Sequence, residues 1–254
     1  LPLALLAACL LFAAVLYVGT GAVYGRVSAS LRDPAVLQDA AANLSDNSEV
    51  FDRTGRVLLA TYGSDRRSLI DTFEEIPVAA IDATTAVEDK TFWTNAGFDP
   101  LGFISAALDT LAGSGRGGST ITQQLVRNVL LEPADFQGSV YQRKVKEIVQ
   151  AIRVTRTYPG IEGKRTIMRA YLNSNYYGSR AYGLRAAAEE YFGITDLSKL
   201  SLGQIALLVG IPQAPTKYDL RSAAVADAKG VLQVALDSPA AQRRLTVLNA
   251  LKNA

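Results

Sequence analysis

The side chains that could carry chemistry in this sequence are carboxylates, lysines, arginines, hydroxyls and amides. The 254-residue chain has no histidine and one cysteine. Ser-His-Asp catalysis, Cys-His catalysis and His-ligated zinc motifs are therefore excluded. The single Cys9 can form neither an internal disulfide nor a cysteine-cluster metal site. The formal net charge of +2 is too small for the electrostatic footprint of a nucleic-acid-binding protein, so no nucleic-acid partner is expected.

Two adjacent acids, Glu88 and Asp89, end an apolar run whose pattern predicts a helix from Pro77 to about Asp89. Acids at this point could be half-buried, and a half-buried carboxylate suits a general base. The alternative is a helix end with solvated acids, which spacing alone favours.

A strongly basic stretch follows between residues 143 and 165, with seven basic and two acidic side chains. Glu147 stands four residues after Arg143 and three after Lys144, so the three side chains share a helix face. Such a cluster could bind phosphate, or it could be an exposed helix with ion pairs, which is the commoner meaning of the pattern.

The glycine-rich sequence GSGRGG at residues 113–118 has the glycine spacing of a dinucleotide motif. It follows a predicted helix instead of a strand, and Ser119 stands where a phosphate loop has its lysine, so neither nucleotide motif is satisfied. We expect a flexible loop that enters a helix capped by Ser119 or Thr120. Free N–H groups at that helix start would suit an anionic ligand. Residues 171–192 are rich in tyrosines and side-chain amides. This pattern is typical both of a sugar-binding site and of a hydrophobic core, and spacing does not distinguish them.

The elements that must position these residues follow a long apolar segment. Residues 1–25 carry no charge, and at ~1.5 Å per residue they give roughly 37 Å of helix, which predicts a retained transmembrane anchor. Residues 26–75 are predicted to be a juxtamembrane linker with a short β-hairpin at 49–62. Residues 76–225 should form a mainly α domain, and residues 226–254 a connector that leads to a further domain.

Within this mainly α architecture, one helix has a notable apolar stripe of Leu101, Ile104, Leu108 and Leu111. The stripe could pack internally or dip into a membrane. Helical spacing predicts the set of helices 101–111, 119–131, 140–157, 162–174, 180–192, 201–210 and 239–252.

Taken in order, these segments resemble the glycosyltransferase domain of class A penicillin-binding proteins and monofunctional peptidoglycan glycosyltransferases (family 51). Five motifs between residues 50 and 220 carry the resemblance: EDKTFWTNAGFD at 88–99, GSTITQQLVRN at 118–128, RKVKE at 143–147, YLN with YYG and AYG at 171–183, and ALL with PQAP at 206–215. The resemblance implies a lysozyme-like fold with a small membrane-proximal lobe. It also implies an enzyme that polymerises lipid II into β-1,4 glycan strands, with inversion and release of lipid pyrophosphate.

In that scheme Glu88 resembles the general base, which removes the proton of the acceptor 4-hydroxyl. Glu147 resembles the second catalytic carboxylate, on the pyrophosphate side. A divalent cation (Mg²⁺ or Mn²⁺) at the pyrophosphate is left open, and the resemblance implies no other cofactor. The residues that it implies for substrate binding are Asp89, Phe92, Asn95, Gly118, Ser119, Thr120, Gln123, Gln124, Arg127, Arg143, Lys144, Asn173, Tyr176 and Gly178.

The resemblance places the chain in the bacterial cell (inner) membrane, with a single-pass anchor and an extracytoplasmic catalytic domain. Lipid II, the growing glycan strand and the membrane are the expected partners, and partner proteins of cell-wall synthesis are left open. Two alternatives remain: a catalytically degenerate scaffold that binds lipid II, and a glycan-cleaving lysozyme-like enzyme.

The chain departs from the family pattern at four positions. Asn95 stands where the first motif usually has His, and Arg127 replaces a usual Lys, which keeps the charge but alters geometry. Arg169 and Thr155 occupy positions where Glu is common, which puts local ion pairing in question. Both catalytic carboxylates remain, so activity is expected.

Overall fold

The computed structural model describes residues 22–37, 48–62, 66–111, 117–227, 230 and 232–254. The predicted anchor therefore lies outside the described residues except for residues 22–25. No helix in the part of the chain that is described is long and apolar enough to cross a membrane. The chain divides into two compact units, Leu1–Ala40 with Glu88–Tyr171 and Ala41–Val87 with Leu172–Ala254.

The described chain is mainly helical, as its spacing predicts. Three two-stranded pairs accompany the helices: β1 with β2 antiparallel, β3 with β4 parallel, and β5 with β6 antiparallel. The strands are β1 (Ser48–Phe51), β2 (Leu58–Tyr62), β3 (Arg66–Arg67), β4 (Ala181–Tyr182), β5 (Ala224–Ala226) and β6 (Leu232–Val234). The helices are α1 (Ala22–Ala29), α2 (Val78–Glu88), α3 (Pro100–Leu111), α4 (Ile121–Leu125), α5 (Val140–Thr157), α6 (Gly160–Ser174), α7 (Leu184–Phe192), α8 (Leu202–Gly210), α9 (Pro215–Tyr218) and α10 (Pro239–Lys252).

Side-chain caps explain where several helices begin. The Ser139 hydroxyl accepts the N–H of Gln142 at the start of α5, and Ser238 caps α10 with Pro239 in the first turn. The start of α4 is capped by Thr120, whose hydroxyl accepts the N–H of Gln123. This settles the choice between Ser119 and Thr120 in favour of Thr120.

Two predicted helices differ from the structure. The helix expected at 119–131 is α-helical only to Leu125, and Val126–Leu130 forms a π-helical turn. The helix expected at 180–192 begins at Leu184, because residues 181–182 pair with β3 and Gly183 has a φ of +92°. Both differences arise from backbone hydrogen bonding that helical spacing does not report.

Each unit buries its own apolar residues. In the first unit α4 packs on α5, and buried residues include Ile121, Leu125 and Ile148. In the second unit α8 packs on α10. Three residues of the α3 stripe are exposed and not packed internally: Leu101, Ile104 and Leu108 are 79%, 37% and 56% accessible.

Candidate active site

Glu88 is the last residue of α2, and its carboxylate is half-buried. The Gln124 side chain, on α4, donates from Nε2 to Glu88 Oε2 over 3.0 Å. The hydroxyl of Tyr171 lies 3.3 Å from Gln124 Oε1, so the amide is held on its other side. The half-buried alternative for Glu88 is therefore the correct one, and a neutral amide orients the carboxylate.

Asp89 connects the turn after α2 to the start of α4. Its carboxylate accepts the backbone N–H of Ile121 at 3.1 Å and both Thr91 donors at 3.1 to 3.2 Å. Asn95 Nδ2 lies 3.0 Å from each carboxylate oxygen. Burial raises the pKa of Asp89, and these hydrogen bonds act in the opposite direction. The contacts support a positioning role for Asp89, because its oxygens are directed at the protein.

Asn95 also connects Asp89 to a buried lysine of α6. Lys164 Nζ donates to the Asn95 backbone oxygen at 2.8 Å and to Oδ1 at 3.2 Å. The ammonium lies 4.8 Å from the ring centroid of the fully buried Phe92. Burial lowers the pKa of Lys164 to about 8. An amide both donates and accepts, so Asn95 bridges the two charged groups at the position where the family motif usually has His.

Two glycines, Gly97 and Gly118, allow the backbone to approach neighbouring helices closely. Gly97 has a φ of +91°, and an added Cβ would lie 2.3 Å from the backbone oxygen of Ala151 on α5. The Thr120 hydroxyl donates to Gly97 O at 2.8 Å. An added Cβ at Gly118 would lie 2.8 Å from Ala106 Cβ. Both glycines therefore serve the packing of the site.

Glu147, on α5, is buried among cations. Its carboxylate lies 3.4 Å from Arg127 Nε, 3.5 Å from Arg143 Nε and 3.1 Å from Lys144 Nζ. The predicted common face of Arg143, Lys144 and Glu147 is confirmed, and Arg127 joins it from the π-helical turn. Burial lowers the pKa of Lys144, while the charge of Glu147 acts to raise it.

Lys144, in the RKVKE motif, contacts two residues of the GSTITQQLVRN motif. Its Nζ donates to Ser119 Oγ at 2.7 Å and lies 3.4 Å from Gln123 Oε1. Several donors here are buried and have no hydrogen-bond partner in the described structure, namely Arg127 Nε, Arg143 Nε and Gln123 Nε2. The two Nε atoms face Glu147 beyond hydrogen-bond length, and the cluster as a whole carries more positive than negative charge, which attracts an anionic ligand.

Three predicted site residues belong to the second unit, whereas all the others belong to the first. Asn173 is buried. Its Oδ1 accepts the backbone N–H of Ile70, and its Nδ2 donates to the Ile70 carbonyl. Gly178 has a φ of +79°, and an added Cβ would lie 2.6 Å from Asp219 Oδ2. Tyr176 is exposed, with its ring 4.8 Å from that of Tyr182. The tyrosine-rich stretch thus holds both core and surface aromatics.

Lys164 is a residue of the site that the sequence prediction missed. It lies in the basic stretch 143–165, and that was the available signal. Spacing does not show which cation of a basic stretch turns inward, because only the packing of α6 buries this one.

Comparison with known proteins identifies the family. A family model for transglycosylases matches residues 55–250. The chain is 42% identical over 175 residues to penicillin-binding protein 1A of Aquifex aeolicus, which covers 68% of this chain and 22% of that protein. It is 39% identical over 212 residues to penicillin-binding protein 1A/1B of Bacillus subtilis, covering 83% and 22%. It is 37% identical over 206 residues to penicillin-binding protein 1A of Escherichia coli, and this match covers 79% of this chain and 23% of that protein.

The chain thus spans about a fifth of the length of these relatives. The matched region contains every site residue discussed above. The chain belongs to the transglycosylase family and carries its peptidoglycan glycosyltransferase domain.

Proposed function

We propose that this chain polymerises lipid II into β-1,4 glycan strands. One observation carries the proposal: the first unit holds two carboxylates, one half-buried and one buried within a cluster of three cations. Glu88 is half-buried beside a neutral amide, and Glu147 is buried among three cations. Glycosyl transfer from a lipid pyrophosphate needs a base for the attacking hydroxyl and positive charge for the leaving group.

Glu88 acts as the base in this reaction. The 4-hydroxyl oxygen of the acceptor attacks the anomeric carbon of the donor strand, and its proton passes to Glu88. The bond between that carbon and the pyrophosphate oxygen breaks, and the electron pair stays on the pyrophosphate. Attack from the face opposite the leaving group inverts the anomeric centre. The hydrogen bond from Gln124 fixes one carboxylate oxygen, which leaves the carboxylate pre-oriented for proton uptake.

The cations around Glu147 stabilise the departing pyrophosphate. The Arg127 and Arg143 side chains are 37% and 31% exposed although their Nε atoms face Glu147, and guanidinium groups suit phosphate oxygens. Glu147 holds these cations together by balancing part of their charge in the absence of substrate. It acts through the cations and not on the anomeric carbon.

The residues present do not fit a divalent cation bound directly to Glu147. Three positive side chains already surround that carboxylate, and a metal ion there would be repelled by them. Across the residues that the structure describes, no group of three or more His, Cys, Asp or Glu side chains could hold a metal ion. No step above is therefore routed through Mg²⁺ or Mn²⁺.

We further propose that the chain works at the bacterial cell (inner) membrane, on its extracytoplasmic side. The uncharged segment 1–25 supports a single-pass anchor. The exposed apolar side chains of Leu101, Ile104 and Leu108 support a membrane-dipping α3 that receives the lipid tail of the substrate. Proteins of cell-wall synthesis are further candidate partners.

The test is an assay of the detergent-solubilised full chain with labelled lipid II, with the products resolved by size. Wild type and Glu74→Gln should both give a ladder of polymer. Glu74 is exposed and is not one of the site residues, so this variant makes the same chemical change outside the proposed machinery. Glu88→Gln should give no ladder while it still binds lipid II. A full ladder from Glu88→Gln would refute the proposed base.

The same assay separates the two alternatives. Binding of lipid II without polymer from the wild-type chain would support the scaffold, the alternative that the departures from the family pattern at Asn95 and Arg169 favour. Release of soluble fragments from purified cell wall would support a lysozyme-like hydrolase. The bridging contacts of Asn95 favour an intact site over a degenerate one.

A further inference from the structure

A second polar site lies in the first unit, away from the carboxylates. It is a pocket of about 490 Å³ between α1, the segment after it and the C-terminal part of α5. Its polar lining comes from Tyr24, Ser28, Asp33, Arg153, Arg156 and Thr157. None of these residues takes part in the reaction proposed above.

Two guanidinium groups dominate the charge of this pocket. Arg153 and Arg156 are three residues apart on α5, so they lie on the same side of the helix. Arg153 is held in place, because its Nη1 donates to the Arg32 backbone oxygen at 3.1 Å and to Gln150 Oε1 at 2.6 Å. Arg156 lies 5.7 Å above the ring of Tyr24 and is exposed.

One acid also lines the pocket and partly offsets this charge. An oxygen of Asp33 accepts the backbone N–H of Ala35 at 2.9 Å, so one of its lone pairs is already used locally. The pocket thus combines two cations, one acid and the hydroxyl groups of Tyr24, Ser28 and Thr157. Guanidinium with hydroxyl donors is the chemistry that recognises a phosphate group.

This pocket is separate from the cations around Glu147. Lys144 and Arg153 are nine residues apart on one helix, which is about 14 Å along its axis. A single pyrophosphate cannot bridge that distance. A phosphate bound in this pocket would therefore belong to a molecule other than the leaving pyrophosphate.

The position of the pocket in the chain indicates which ligand. Tyr24 and Ser28 lie on α1, and Arg26 between them is the first charged residue after the uncharged segment. In the function proposed above, on which this inference rests, residues 1–25 are the anchor. The pocket then begins within about one helical turn (about 5 Å) of the hydrocarbon boundary, because Tyr24 and Ser28 flank the end of that segment. The headgroup layer of a bilayer has a thickness of about 5–8 Å on each side, which matches that depth. Tyrosine is also enriched at this interface.

We propose that the pocket binds the phosphate of an anionic phospholipid headgroup. The bound lipid holds α1 and α5 at a fixed depth relative to the membrane surface. Arg153 and Arg156 contact the phosphate, and the hydroxyl groups of Tyr24 and Ser28 complete its hydrogen bonds. The site contributes headgroup selectivity in addition to the anchor, which associates with any lipid.

Native mass spectrometry of the full chain in detergent tests this proposal, with phosphatidylglycerol or phosphatidylcholine added. Wild type should retain phosphatidylglycerol in preference to phosphatidylcholine. Arg153→Gln/Arg156→Gln should lose about fivefold in that preference per arginine. The matched control is Arg53→Gln/Arg56→Gln, which removes two exposed arginines with the same spacing and should behave as wild type.

Three results would overturn the proposal: equal retention of the two lipids by wild type, an equal loss in the control, or displacement of the lipid by millimolar inorganic phosphate. The last would assign the pocket to free phosphate. Arg156→Gln alone keeps the test valid if the double variant misfolds, because Arg156 is exposed. If residues 1–25 are not a membrane anchor, every variant should retain less of every lipid. If the proposed active site is incorrect, only the lipid II assay should show it.

Discussion

Glu88 and Glu147 belong to one unit but differ in burial and in their described contacts. A neutral amide donates to the half-buried Glu88, whereas three cations lie within 3.5 Å of the buried Glu147. The first carboxylate is oriented, and the second balances charge that its neighbours would otherwise leave uncompensated. Two glutamates of one unit thus have separable tasks: loss of charge at Glu88 should reduce catalysis, and loss of charge at Glu147 should also reduce stability.

The largest expected effect is on catalysis. Glu88→Gln should lower the initial rate of polymerisation by about 10²–10⁴, the usual contribution of a general base. Its unfolding temperature should stay close to that of wild type, because an amide can still accept a hydrogen bond from Gln124. Polymerisation rates and thermal unfolding of the same preparation measure both effects. A large fall in unfolding temperature would remove the distinction between the two glutamates.

The next effect is on stability. Glu147→Gln should lower the free energy of unfolding by about 2–3 kcal/mol, because three cations lose their balancing charge. The loss is smaller than for a fully buried pair since the cations are 18–37% exposed. Adding Lys144→Met to this variant should restore about 1 kcal/mol by removing one repelling charge. A double-mutant cycle by thermal denaturation checks this, and a further loss in the double variant would contradict it.

A smaller effect concerns Lys164, which Asn95 connects to Asp89. Lys164 has a pKa of about 8 in the folded chain, below its ordinary value near 10.5. Between these pH values the unfolded chain binds more protons, so Lys164 makes the free energy of unfolding rise with pH, by about 1–2 kcal/mol after discounting for solvent.

The variant Lys164→Met should lack this rise, and chemical unfolding at pH 7.5 and 10 measures it. Lys199→Met is the matched control, since its side chain is 73% exposed, and it should keep the wild-type slope. An unchanged slope in Lys164→Met would mean that the buried ammonium does not titrate in this range.

The smallest expected effect tests geometry around Glu147. Arg127→Lys introduces the residue that the family motif usually has and keeps the charge. Because the Arg127 side chain is 37% exposed, the rate of polymerisation should change by less than about threefold. Arg127→Ala should lose about tenfold in the same assay. Equal rates for the two variants would show that the charge at this position does not support the leaving group.

Helical spacing predicted much of the fold because local signals agreed with tertiary packing. The helix expected at 140–157 is α5, and the one expected at 239–252 is α10. A serine cap begins each of them, so the start is encoded within four residues. The predictions for 119–131 and 180–192 were less accurate, because a π-helical turn and a long-range strand pair intervene. The strand pair joins residues more than 100 positions apart, and the π-helical turn changes the hydrogen-bond register without changing the apolar spacing.

The candidate site was predicted in part. The spacing of Arg143, Lys144 and Glu147 places them on one helix face whatever the rest of the chain does. The approach of Arg127 to the same carboxylate depends on how α4 packs on α5. Lys164 was missed for a related reason, since its pattern is that of an exposed cation.

The sequence by itself determined the order of helices, the acidic and basic character of the motifs and the chemistries that the absence of histidine excludes. These follow from residue type and from short-range periodicity. Tertiary structure alone decided which charges are buried together, that Asn95 joins Asp89 to Lys164, and that α3 exposes its apolar stripe. The physical reason is that burial and charge pairing are set by which surfaces meet, and contacts between distant segments are not encoded in local spacing.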